Sequence, residues 1–141
     1  MVSIISKKAR FVNAPGFIYN LSMPKLVEAH RIIKERVLIY AEKVGEYPRK
    51  VLIKDVKTRW GSCSSRTRTV NINWRITLAP IEIVDYLIVH ELSHLKHPNH
   101  SRDFWSFVAS ILPDYKLRKK WLRKNQENLL KGSVKIDAAA D

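Results

Sequence analysis

Apolar residues recur at helical spacing from Leu26 through His30, Ile33, Val37 and Tyr40 to Val44, which predicts an amphipathic helix up to about Lys43. Ser22 is a candidate N-cap, Pro24 suits the first turn, and Gly45 suits the stop. Val51-Leu52-Ile53 followed by Lys54-Asp55-Val56 then reads as a strand, and Lys57 to Ser64 as a second extended segment. Ser65 to Thr69 is a polar turn. Val70 to Ile76 alternates, with Val70, Ile72, Trp74 and Ile76 on one face and Asn71, Asn73 and Arg75 on the other, which predicts a hairpin. Gly61 inside a strand pattern signals a bulge or a close backbone approach. Pro80 opens a helix expected to run to about Lys96, and the apolar run around Val84 to Val89 predicts that it is buried nearly all round. Asn99 or Ser101 caps a further helix, Arg102 to Leu112, which Pro113-Asp114 ends. A last, basic helix spans roughly Tyr115 to Lys131, with Leu117, Trp121 and Leu122 as its apolar side and Gly132 as its stop. The pattern is α+β: an N-terminal helix, a small sheet containing an antiparallel pair, a buried helix and two C-terminal helices.

Residues 1–22 read as an arm with a Pro15-Gly16 turn, 23–131 as one domain, and 132–141 as a tail. The length of 141 residues fits a single modest core. No apolar run is long enough to span a bilayer, the N-terminus lacks a signal-peptide layout, and the single Cys63 has no internal partner. These features predict a cytoplasmic protein that makes no use of a membrane, with Cys63 as a half-buried strand residue. The formal net charge of +13 favours encounters with polyanions and is densest between Lys116 and Lys124.

The buried helix carries the chemistry. His90-Glu91-Leu92-Ser93-His94 is a His-Glu-x-x-His motif, and on a helix i and i+4 lie on one face. His90 and His94 can thus offer imidazoles to one ion, Zn²⁺ being the best match, while Glu91 stands beside them as a general base. A catalytic zinc takes a third protein ligand. His97 and His100 are candidates, and Pro98 disfavours helical geometry at His97 and so favours His100. The resulting His-to-His spacing equals that of the metzincin signature, although His97 stands where that signature has glycine. A distant acid such as Glu127 is an alternative ligand. His30 lies on the first helix's apolar stripe and reads as a core or boundary histidine.

Arg59-Trp60-Gly61-Ser62-Cys63, Asn73-Trp74-Arg75, Asp85-Tyr86, the run His90 to Ser101 and Phe104-Trp105 together resemble the YgjP-like metallopeptidase family, related to the SprT-like and WLM zincin proteases. The resemblance covers about residues 24–130. It implies a minimal zincin-like domain, zinc on His90, His94 and His100, and Glu91 as the catalytic acid/base. The expected partner is a peptide or protein substrate.

Arg59, Asn73 and Arg75 lie on segments expected to border the cleft and are candidate substrate contacts. Asp85 is a candidate acceptor behind a ligand histidine. Trp60, Trp74 and Trp105 read as core. Two other functions fit the charge: a zinc-dependent nucleotide phosphoanhydride hydrolase, with Lys or Arg on phosphate, and a DNA-associated protease or binding module using the basic C-terminal helix.

Overall fold

A computed structural model describes residues 10–13 and 23–131 of the chain. Strand β1 (Arg10–Asn13) precedes helix α1 (Met23–Val44). Strands β2 (Lys50–Lys54), β3 (Gly61–Ser64) and β4 (Thr69–Asn73) follow. After a 3₁₀ turn, Trp74–Leu78, come α2 (Ile81–Ser93), α3 (Arg102–Ile111) and α4 (Tyr115–Leu130). The expected Ser22 cap, the Pro15-Gly16 turn, the Gly132 stop and the tail lie outside the described residues.

The sheet is mixed, in the order β1-β2-β4-β3. β1 and β2 pair in parallel, as do β2 and β4, and only β3–β4 is the antiparallel hairpin that the alternation predicts. Val51, Ile53, Val70 and Ile72 point to one face and are fully buried with Ile33 and Val37 of α1 and Ile88 and Leu92 of α2. α2 is buried through every position from Ile83 to Val89, as its run of apolar residues requires. Gly45 ends α1 at φ 80°, a left-handed conformation that favours glycine, and its N–H closes on Ala41 O at 2.8 Å.

Three expectations are corrected. β4 stops at Asn73, not Ile76. The Asn73 side chain accepts the Arg75 N–H at 3.0 Å, so it caps a 3₁₀ turn and draws the backbone off the ladder. α2 stops at Ser93, short of Lys96. Its last turn tightens to three-residue bonds, Leu95 N–H to Leu92 O and Lys96 N–H to Ser93 O, ahead of Pro98. Leu117 is 71% exposed. The buried stripe of α4 runs instead through Leu122 and Leu129, one heptad apart.

Asp85 is the one acid buried on the body of α2 besides Glu91, and it ties α2 to α1. Both its oxygens accept from Arg36, Nε at 2.7 Å and Nη2 at 2.8 Å, and Oδ2 also accepts from Tyr40 Oη at 3.1 Å. A bidentate pair at the edge of the core fixes the rotation of α2, and removing one partner strands the other. Replacing Asp85 with Ala is expected to lower unfolding free energy by about 2–4 kcal/mol, read by urea denaturation. A loss no larger than that of an exposed Asp103→Ala control would contradict this role.

Candidate metal centre

The end of α2 builds the site. Because Pro98 halts the helix, the carbonyl of His97 turns back to the His94 ring and lies 3.0 Å from Nδ1. A carbonyl only accepts, so Nδ1 carries the proton and Nε2 of His94 is a bare lone pair. The chain beyond Pro98 then swings His100 over the helix. Its Nε2 stands 3.1 Å from His94 Nε2 and 3.2 Å from His90 Nε2. Among the described residues, His90, His94 and His100 form the cluster of His, Cys, Asp or Glu side chains able to share one ion.

The donor set fits a tetrahedral cation. Two nitrogens on one Zn²⁺ at about 2.0–2.1 Å lie about 3.3 Å apart, close to the observed spacings. Hydrogen bonds alone cannot satisfy the group. His100 Nε2 carries either a proton or a lone pair, so it makes a good hydrogen bond with at most one of the two bare nitrogens that face it. Protonation is no escape either. Burial, then the charges of His94, His100 and Lys119, hold the His90 imidazole down to about 3, and burial also lowers His94. A divalent ion resolves the conflict, since neutral imidazole is the ligating form. His94 is 9% exposed, whereas His100 is open to solvent, so the cluster has a closed floor and an open side.

Glu91 is 5% exposed and packs against β3. Burial pushes its carboxyl up to about 8, against the pull of Arg59. The close approach expected at Gly61 is at this point: a Cβ there would lie 3.1 Å from Glu91 Cγ and Oε2 and 2.8 Å from the Asn71 carbonyl oxygen. Only the missing side chain lets the strand lie so near the carboxylate.

α3 closes the site from the other side. Ser101 Oγ accepts the Phe104 N–H, starting the helix so that Phe104 and Trp105 meet the imidazoles. Phe104 stacks on His94 at 4.4 Å between centroids and meets His90 edge-on at 5.0 Å. Trp105 stacks on His100 at 5.8 Å. These rings wall the imidazoles and fix their planes.

The other candidates separate clearly. His97 supplies its carbonyl, and its ring lies against Phe107. Glu127 is exposed on α4, and His30 is half-buried on α1; neither belongs to the cluster. Asp85 does not stand behind a ligand histidine, because its oxygens are committed to Arg36 and Tyr40. The group nearest His90 Nδ1 is the Tyr86 hydroxyl, at 3.5 Å, a position the sequence singled out only within the family blocks. Asn73 is committed to the fold. At 1% exposure it donates to Val56 O and Arg59 O and pins the loop before β3. Arg75 pairs with Asp55 and lies over the Trp74 ring, again in a structural role. Of the three, only Arg59 is exposed and bears on Glu91. Trp74 is core, with Nε1 donating to Asp55, whereas Trp105 reaches the imidazoles as well as the core. The Cys63 thiol is pushed up to about 12 by burial and by the charge of Glu91, which disfavours the reactive thiolate.

A family model described as YgjP-like, metallopeptidase domain, matches residues 23–125. No curated protein sequence matches the chain. Two solved structures share the zincin-like fold. A crystal structure of a Wss1 mutant from Saccharomyces cerevisiae has a TM-score of 0.61 at 10% identity, covering 80% of this chain and 94% of that one. A crystal structure of Wss1 from the same yeast has a TM-score of 0.58 at 15% identity, covering 80% and 92%. Among the described residues no helix is long and apolar enough to cross a membrane.

The Gly61 contact yields a prediction. Gly61→Ala is expected to displace Glu91 or β3 and to lower any activity that depends on Glu91 by about tenfold or more, since misplacement of about 1 Å can cost a hundredfold. Metal content should be unchanged. Steady-state rates and metal analysis on the same preparation check both, and full activity in the variant would contradict the geometry.

Proposed function

The chain belongs to the YgjP-like metallopeptidase family, and from that premise we propose that it hydrolyses peptide bonds using Zn²⁺ on His90, His94 and His100 with Glu91 as general acid/base. The observation that carries this is the convergence of three imidazole Nε2 atoms at the end of the helix that also carries a buried carboxylate. When bound, zinc supplies Lewis acidity to a water molecule and to the scissile carbonyl.

The protein's own groups do the rest. The His97 carbonyl holds the His94 tautomer, and the Tyr86 hydroxyl stands at the far nitrogen of His90. Phe104 and Trp105 exclude water from the closed side. Glu91 takes a proton from the attacking water and delivers it to the departing amine, which leaves as a neutral group. The apolar setting that raises its carboxyl favours that second transfer. Arg59 is an exposed cation whose charge bears on Glu91 and which can meet substrate.

Glu91→Gln is expected to lower kcat on an unstructured peptide by at least about a hundredfold while one zinc per chain is retained, and His100→Ala to lose the zinc. Turnover by Glu91→Gln at the wild-type rate would refute the role. Phosphate release from nucleotides, with no peptide cleavage, would replace the peptidase reading by the phosphoanhydride one.

A further inference from the structure

α4 runs beside Trp105, one of the rings that meet the imidazoles, and one of its cations is held there. Lys119 Nζ lies 4.2 Å from the centroid of Trp105. Trp105 in turn stacks on His100, with 20° between the planes, and lies 5.6 Å from the His90 ring. Tyr115, one turn earlier on α4, stacks on Trp105 at 5.2 Å and 18°. The two separations of 4.2 and 5.6 Å cap the distance from the ammonium to the His90 ring at about 10 Å, the reach of about three extended residues.

This lysine differs from the ion-paired arginines of the structure. Arg31, Arg36, Arg68, Arg75 and Arg118 each pair with a carboxylate, and Lys119 is in none of these pairs. Its neighbour Arg118 is held by Asp114 and by the Glu82 carbonyl. Lys119 instead sits on an aromatic face, which fixes its place without neutralising it. An ammonium has three donors, and a ring face takes up only one direction.

Resting on the peptidase reading, we propose that Lys119 is a specificity-determining residue: it receives a carboxylate of the peptide substrate, placed within three residues of the bond to be cut. The field at the site agrees in sign. Lys119 bears on His90, Arg123 on Tyr86 and Arg59 on Glu91, so cations flank the cluster on the α4 side and on the β3 side. The carboxylate is an acidic side chain or the chain's own C-terminus, and both offer the same acceptor to the ammonium.

The test uses matched peptides with Asp or Asn near the scissile bond, each as free acid and as C-terminal amide. For the peptide carrying the preferred carboxylate, Lys119→Met is expected to raise KM about tenfold or more with kcat kept, because a charge-assisted contact is lost from ground and transition states alike. Lys119→Arg should restore most of the affinity, and Lys119→Glu should turn the preference towards a Lys-bearing peptide. The Asp/Asn and acid/amide arms identify the carboxylate. Calorimetric titration of the same peptides into zinc-loaded Glu91→Gln protein reads binding without turnover. Thermal midpoints confirm that the variants fold.

Equal binding of all four peptides, or a preference that survives Lys119→Met, overturns the proposal. Lys119-dependent binding of the carboxylate peptides without any cleavage by the wild-type protein upholds the proposal and overturns the peptidase chemistry. Lys119-dependent binding of a nucleoside triphosphate, but of none of the peptides, overturns the carboxylate assignment in favour of phosphate.

Discussion

One imidazole nitrogen, His100 Nε2, lies within hydrogen-bonding distance of two others, and a single proton on it cannot serve both contacts well. His94 has its proton fixed on the far side by the His97 carbonyl. His90 is too buried, and too close to other positive groups, to gain one. The cluster is therefore an arrangement that a divalent ion stabilises and that water or protons serve poorly. Three converging imidazoles are a donor set that suits a divalent cation, and the turn after Pro98 brings the third of them over the helix.

Everything around the cluster holds that arrangement in place. α2 has no solvent face along most of its length, so its rotation cannot relax. Asp85 fixes it to α1 through Arg36, and β3 lies against it through a residue with no side chain. α3 begins at a Ser101 cap and immediately sets two aromatic rings against the imidazoles. The resulting environment is dry on the inner side and open at His100. A general base needs such a setting: a carboxylate whose proton affinity is raised by burial, within reach of substrate. The same packing that orders the site makes Glu91 costly to charge.

Much of this was legible in the sequence because it is written locally. The spacing from His90 to His94, the helix break at Pro98, the cap at Ser101 and the stop at Gly45 each follow from a few adjacent residues. The glycine at position 61 announced a close approach, though not that Glu91 lay on the other side. What escaped was written at long range or by local competition. Asp85 finds its partner 49 residues away on another helix, which no spacing rule reveals. Asn73 and Arg75 alternate as strand residues do, but the Asn73 side chain outcompetes the ladder for the next turn, and both residues become props for the loop before β3. The parallel pairing of β1 and β2 joins segments separated by a whole helix, so the hairpin was visible and the mixed sheet was not. Leu117 shows the limit of apolarity as a guide: it is exposed because the phase of α4 is set by Leu122 and Leu129.

The most direct measurement is X-ray absorption at the zinc edge on protein loaded with one equivalent of the metal. The account predicts three imidazole nitrogens at about 2.0–2.1 Å and one lighter-shell oxygen, with no sulfur. A first shell with two nitrogens or fewer, or one containing the Cys63 sulfur, would contradict it.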